Sequence, residues 1–128
     1  MAQIVVYGHA AALRPRIRPL SDAIHEAAVS ALQLPSTKRF HRFVPLDPDC
    51  FLTPPDRSHD YTVIEVSMFK GRSTETKKLL ISELYRTTTA IGLSPHDVEI
   101  TITETPRANW GIRGLPGDEL QLGYQVEV

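Results

Sequence analysis

The amino-acid sequence predicts an α+β fold, an α/β two-layer sandwich with a four-stranded mixed sheet and two helices on one face. Three observations lead to this prediction. The chain has 128 residues, about the size of one domain. Strand-like and helix-like apolar spacings alternate along it. The order strand, helix, strand occurs twice, and Leu34-Pro35 in the first copy matches Leu93-Ser94-Pro95 in the second.

The first pseudo-repeat, residues 1–46, is predicted to be a strand, a helix and a strand. Its strands are Gln3–Tyr7 and Phe40–Leu46, which are rich in β-branched and aromatic residues. Apolar residues recur at every third or fourth position between them, as on one face of a helix. Pro15 and Pro19 fit in or before the first helical turn, where a missing N–H costs little.

Residues 47–61 form the predicted connecting loop, because prolines among aspartates leave no apolar period there. The second pseudo-repeat, residues 62–105, again gives a strand (Thr62–Met68), a helix and a strand (Val98–Thr103). Ser73 is the expected N-cap of this second helix.

The remaining residues, 106–128, are predicted to be a glycine-rich loop, Pro106–Gly117, and a final strand, Leu120–Val128, so that the fold ends in a C-terminal strand or hairpin. Apolar residues occupy alternate positions of that final strand, which is typical of a strand with one buried face. A pseudo-twofold relation between the two repeats places both helices on the same face of the sheet. The other face stays open and could support an oligomer.

Composition excludes several functional classes. The formal net charge of −1, from 14 basic and 15 acidic residues, gives no footprint for nucleic acid or an anionic membrane. No apolar run reaches the ~18 residues of a transmembrane helix. The single cysteine, Cys50, cannot form an internal disulfide, which favours a cytoplasmic location, and its thiol is expected to be inert. Five histidines without metal-ligand spacing predict no metal.

Lys70-Gly71-Arg72 lies where a predicted strand ends and a capped helix begins. Two cations beside the positive end of a helix suit a carboxylate, so this segment is a candidate anion site. A solvated strand end is the alternative interpretation of the same residues, and the spacing alone leaves both open.

Four segments carry a resemblance to a known family. They are DRSHDYTVIE (56–65), KGRS (70–73), HDVEITI (96–102) and NWGIRGLPGDE (109–119). With the duplicated strand–helix–strand plan, they resemble the tautomerase superfamily, and within it the branch of malonate semialdehyde decarboxylase. The resemblance implies a homotrimer with pockets near the subunit boundaries, and no cofactor.

In that superfamily an amino-terminal proline moves the proton, and nearby arginines hold the carboxylate of the substrate. The resemblance places carboxylate binding on Lys70 and Arg72, and the wall of the pocket on Trp110. The position of the proline is best matched by Gln3, and no proline occurs before Pro15. The resemblance therefore extends to the carboxylate site but not to the catalytic proline.

Ala2, whose amine would be free after removal of Met1, Gln3 and His41 remain as candidates for proton transfer. Arg39, beside the second strand, could assist in binding the carboxylate, and His41 could equally be a structural histidine. Two hypotheses follow. One is a tautomerase-like enzyme acting on a small 2-keto or enol carboxylate. The other is a non-catalytic trimer that binds such a carboxylate in its cationic pocket.

Overall fold

Residues 2–128 are described by a computed structural model, and they contain one mixed four-stranded sheet. Its strands are β1 (Ala2–His9), β2 (His41–Leu46), β3 (Thr62–Phe69) and β4 (Val98–Thr105). They lie in the order β2-β1-β3-β4. The outer pairs β1–β2 and β3–β4 are parallel, and the central pair β1–β3 is antiparallel. The predicted α+β fold class is confirmed.

The first helical region begins at Ala10, earlier than the apolar spacing indicated. It consists of α1 (Ala10–Leu13), a 3-10 turn (Arg14–Arg16) and α2 (Ile17–Leu32). Pro15 lies in the 3-10 turn, where its missing N–H is tolerated. The second helix is α3 (Thr74–Ala90), and Ser73 caps it as predicted by accepting a hydrogen bond from the backbone N–H of Thr76.

Both long helices pack on the same face of the sheet, because alternate strand residues point towards them. Ile4 and Val66 are register partners, as are Val6 and Ile64, and all four are at most 2% exposed. They form one core with Leu20 and Ile24 of α2 and with Leu80 and Leu84 of α3. Burial of each such side chain contributes roughly 1.5–3 kcal/mol. The opposite face of the sheet is left open.

The C-terminal part agrees with its prediction only in part. The predicted C-terminal hairpin is confirmed as β5 (Gly111–Ile112) and β6 (Leu115–Pro116), but the predicted strand Leu120–Val128 is wrong. That segment keeps an alternating burial pattern and packs its apolar side chains on Phe69 instead of pairing with a strand. The backbone carbonyl of Val128 then accepts hydrogen bonds from the Ser73 N–H and the Thr76 hydroxyl.

Within residues 2–128, no helix is both long and apolar enough to cross a bilayer.

Candidate functional site

The two ends of the sheet carry different chemistry. At the end that we call the cationic end, β1 and β2 begin and β3 and β4 terminate, which brings Ala2, His41, Phe69 and Thr105 to one side. At the opposite end, the loop end, the connecting loop 47–61 covers the other strand termini. All of the site residues predicted from the sequence lie at or beside the cationic end.

Arg72 is the most buried charged residue of this end. The residue is 5% exposed, and none of its three guanidinium nitrogens has a hydrogen-bond partner within residues 2–128. Burial lowers the pKa of Arg72, and the nearby Tyr124, Glu104 and Glu127 act in the opposite direction. A guanidinium stays protonated in proteins, so the site holds a buried cation without a hydrogen-bonded anion.

Arg72 is buried because the C-terminal tail, residues 121–128, runs past both of its neighbours. Gly71 has a φ of +139°, and a Cβ atom there would lie 3.2 Å from Cγ1 of Val126, so glycine permits both the turn and the close approach. On the other side, the Ser73 N–H donates to the carbonyl of Val128 over 3.0 Å. The tail therefore covers the strand-to-helix junction that carries Arg72.

The negative charge of Glu104 raises the pKa of Arg72, but its hydrogen bond is to another residue. Its Oε1 atom accepts a hydrogen bond from Nζ of Lys77 over 2.8 Å. Its Oε2 atom is buried and has no partner within residues 2–128. The Lys77 ammonium thus uses the nearby negative charge, and the Arg72 donors remain available to a further anion.

Lys70 and Trp110, the other two residues of the predicted carboxylate site, are placed differently. The Lys70 side chain is exposed, so the structure separates it in environment from the buried Arg72. Trp110 is half-buried, its Nε1–H donates to Oγ1 of Thr105 over 2.7 Å, and its ring meets Phe69 edge-on at 5.1 Å. Trp110 therefore packs against the cluster formed by Phe69 and Val126. Val126 is also the residue that Gly71 approaches.

Three other predicted residues meet in one open pocket at the edge of the sheet. Gln3, Arg39 and His41 line a cavity of about 360 Å³ together with Phe40 and Arg42. Nη2 of Arg42 donates to Oε1 of Gln3 over 3.5 Å. Arg42 was not among the predicted site residues, although its neighbour in the predicted strand, His41, was a candidate.

His41 is half-buried and faces helix α2 as well as the pocket. Its Nδ1 atom lies 2.8 Å from Oγ of Ser21, a buried residue of α2. The pKa of His41 is lowered to about 4, first by burial and then by the charges of Arg39 and His25. The imidazole is therefore neutral near pH 7.

Ala2 is 6% exposed and pairs with Met68 in the sheet. Met1, whose removal would free the amine of Ala2, lies outside the described residues. Gln3 carries an amide, which neither gains nor loses a proton near neutral pH. Of the three proton-transfer candidates, His41 has the side chain with acid–base chemistry.

The loop end contains a larger but less charged cavity. It has a volume of about 900 Å³, and its walls include the rings of His9 and Phe51, whose centroids are 4.9 Å apart. Arg57 in this wall is bound to Asp56 and Glu99. Among residues 2–128, no group of three or more histidine, cysteine, aspartate or glutamate side chains is arranged to hold a metal ion.

Comparison with known proteins identifies the family of this chain. The sequence pattern of a family described as tautomerase enzymes matches residues 38–113. The 2-hydroxymuconate tautomerase of Comamonas testosteroni is 37% identical over 57 residues, which are 44% of this chain and 90% of that protein.

Two solved structures extend the likeness over most of the chain. The FG41 malonate semialdehyde decarboxylase, solved after inhibition by 3-bromopropiolate, is 28% identical with a TM-score of 0.77, over 85% of this chain and 87% of that one. Fused 4-OT in an asymmetric trimer shares the fold at 20% identity and a TM-score of 0.80, over 91% of this chain and 96% of that one. The predicted resemblance to the decarboxylase branch is confirmed.

Proposed function

Because this chain belongs to the tautomerase family, we propose that it binds a small 2-keto or enol carboxylate at the cationic end of its sheet. Arg72 receives the carboxylate, and the pocket of Gln3, Arg39, His41 and Arg42 lies at the same end. Trp110 contributes an apolar wall through its packing on Phe69. The similarity to a 2-hydroxymuconate tautomerase supports this class of ligand.

The burial of Arg72 without a hydrogen-bond partner is the observation that carries the proposal. A buried cation whose donors are unsatisfied costs several kcal/mol, and a folded chain tolerates such a group chiefly where it has a role. A carboxylate accepts two parallel N–H bonds from a guanidinium, which removes that cost. The ligand reaches Arg72 by displacing part of the C-terminal tail.

A tautomerase reaction on such a ligand moves one proton between carbon 3 and the oxygen on carbon 2. The C3–H bond breaks, its electron pair becomes the C2–C3 double bond, and the carbonyl electron pair moves to oxygen. Arg39, Arg42 and neutral His41 line an open cavity at the same end of the sheet, and their N–H groups stabilise negative charge on an oxygen that binds there.

Carboxylate binding without turnover is the second candidate function. The position that the resemblance matches to the catalytic proline is occupied by Gln3, and Ala2 is buried in the sheet. Both observations favour a protein that keeps the cationic site but not the proline chemistry of its superfamily. The two candidates share the ligand and differ only in whether its proton moves.

We also propose that the chain forms a homotrimer in the cytoplasm. Fused 4-OT, which shares this fold, was solved as a trimer, and the fold of this chain leaves one face of its sheet open for contacts between subunits. Cys50 is exposed and unpaired, which suits a reducing compartment. A light-scattering mass of three chains supports the assembly, and a mass of one chain contradicts it.

Turnover and binding, measured in parallel, test the function. Phenylenolpyruvate and malonate semialdehyde are incubated with the protein, and binding of the stable analogue phenylpropionate is measured by calorimetry. Arg72→Met is expected to abolish binding, whereas Lys78→Met, an equal charge change on the exposed face of α3, leaves it intact. Turnover lost in Arg72→Met identifies an enzyme. Binding without turnover identifies the second candidate, and equal binding by both variants contradicts the site.

A further inference from the structure

Ser21 is a buried hydroxyl placed between two residues of the open pocket. It is 8% exposed, its Oγ atom lies 2.8 Å from Nδ1 of His41, and Nη1 of Arg39 donates to the same oxygen over 3.4 Å. Nη1 of Arg39 also donates to Oδ1 of Asp22 over 2.6 Å, which fixes the guanidinium on the surface of α2. A chain of hydrogen bonds therefore runs from Arg39 through Ser21 to His41.

The direction of this chain follows from the donors available. A guanidinium only donates, so the Ser21 oxygen accepts from Arg39. Within residues 2–128 the hydroxyl hydrogen has no other acceptor than Nδ1 of His41, so it points at Nδ1, which accepts it. A neutral imidazole with an acceptor at Nδ1 carries its one proton on Nε2. Within residues 2–128, Nε2 has no hydrogen-bond partner, and His41 lines the open cavity.

We infer that Ser21 fixes His41 as the neutral Nε2–H tautomer, so that the pocket presents a hydrogen-bond donor to an oxygen atom of a bound ligand. Ser21 is thus a positioning residue for His41. The inference rests on the proposed function for the identity of the ligand, but the tautomer itself can be measured without any ligand.

The charges closest to His41 favour an uncharged imidazole ring. Arg39 precedes it by two residues, Arg42 follows it in β2, and His25 of α2 lies with its ring centroid 6.1 Å away. Asp22, the nearby carboxylate, is already bound by Arg39. A positive charge on His41 would be repelled by the Arg39 guanidinium, whereas an Nε2–H group near that guanidinium attracts an oxyanion.

This arrangement assigns His41 to the oxygen of the substrate and not to its carbon. When solvent water takes the proton from carbon 3, the C–H electron pair forms the C2–C3 double bond and the carbonyl pair moves to oxygen, which then takes a proton back from solvent. The Nε2–H group strengthens its hydrogen bond to that oxygen as the negative charge grows, and no electron leaves the substrate. A neutral imidazole is an effective donor in this role because it does not need to ionise first.

Nitrogen NMR of the full chain labelled with ¹⁵N-histidine tests the inference, in wild type and in Ser21→Ala and Ser21→Thr. We expect a pyridine-type Nδ1 and a pyrrole-type Nε2 for His41 in wild type and in Ser21→Thr, and a mixture of tautomers in Ser21→Ala. If the chain is an enzyme, kcat falls about tenfold in Ser21→Ala, the effect of one lost hydrogen bond of about 1.4 kcal/mol, and returns in Ser21→Thr.

A protonated Nδ1 in the wild type overturns the inference, and so does a His41 spectrum that is identical in wild type and Ser21→Ala. The proposed function is contradicted by a different result, namely a wild-type protein that neither binds nor turns over a carboxylate. Correct tautomers in a protein that binds no carboxylate would therefore refute the function while leaving the role of Ser21 intact.

Discussion

Two arginines at opposite ends of the sheet differ in their hydrogen bonding and in the direction of their pKa shifts. At the loop end, Arg57 donates to Asp56 over 2.7 Å and to Glu99 over 3.1 Å, and its guanidinium lies 5.9 Å from the centre of the Tyr61 ring. Its pKa is raised, chiefly by the hydrogen bond to Glu99. At the cationic end, Arg72 is more deeply buried, makes no such bond, and has a lowered pKa because of that burial.

The difference separates an arginine used for structure from one that we propose binds a ligand. The bonds of Arg57 fasten the connecting loop to β4, and Asp97 adds two more by accepting from the backbone N–H and the hydroxyl of Ser58. No comparable partner within residues 2–128 reaches Arg72, although Glu104 acts on it electrostatically. Changes at the loop end should therefore alter stability, and changes at the cationic end should alter binding.

The largest expected effect is at the loop end, in Asp97→Ala. The substitution removes the charged acceptor for two hydrogen bonds, so unfolding by urea should show a loss of about 3 kcal/mol. Carboxylate binding should stay within twofold of wild type. Asp49→Ala, an exposed carboxylate of the connecting loop at the same end of the sheet, is the control and should change stability little. Equal losses in the two variants would contradict the structural role of Asp97.

Stability should also fall with pH through His41. Its pKa is about 4 in the folded chain and about 6.5 when unfolded, so the folded state binds fewer protons between these values. The contribution is complete above pH 6.5 and is lost as the pH falls to 4, by about 3 kcal/mol in total. Thermal unfolding across this range should show the slope in wild type and not in His41→Asn. Parallel curves would show that His41 is not held neutral.

Arg72→Met sharpens the comparison at the cationic end. Replacing an unpaired buried charge with an apolar side chain of similar length should raise the free energy of unfolding by about 2 kcal/mol. The same variant should no longer bind phenylpropionate, so stability and binding move in opposite directions. Lys78→Met is the control, with both quantities near wild type. A destabilised Arg72→Met would mean that the guanidinium has a structural partner.

The smallest effect is expected at the tail. Thr76→Val removes the hydroxyl that donates to the carbonyl of Val128 over 2.7 Å, at a cost of about 1 kcal/mol. Looser attachment of the tail should speed carboxylate association, which stopped-flow measurements can follow. Thr74→Val, an exposed change in the same helical turn, has matched helix propensity and should leave the association rate unchanged. Equal rates in the two variants would show that the tail does not gate Arg72.

The sequence predicted the strands of the sheet but not the route of the C-terminal tail. Alternating and helical apolar spacings are local signals, and they identified all four main strands and the two helices. Alternation in Leu120–Val128 was equally clear, yet it reports only that one side of the segment is buried. The burial comes from packing on Phe69, which lies far away in the sequence.

The candidate site was predictable only where the resemblance or a charge drew attention to a residue. Lys70 and Arg72 are two positions apart, but the turn at Gly71 and the tail leave one exposed and bury the other. Ser21 gave no signal, because a serine beside the apolar stripe of a helix has nothing local to distinguish it. Its role depends on the packing of α2 against β2, which places its oxygen at His41.

The most direct test of the central claim is an NMR titration of the arginine Nε–H signals with phenylpropionate. Arg72 and Arg57 both have a buried Nε without a partner within residues 2–128, so Arg57 is a reference within the same molecule. We predict that the Arg72 signal moves to lower field and exchanges more slowly with water as the carboxylate binds, while the Arg57 signal stays in place. An Arg72 signal that does not respond, or two signals that shift together, would contradict the claim that Arg72 is held for an anion.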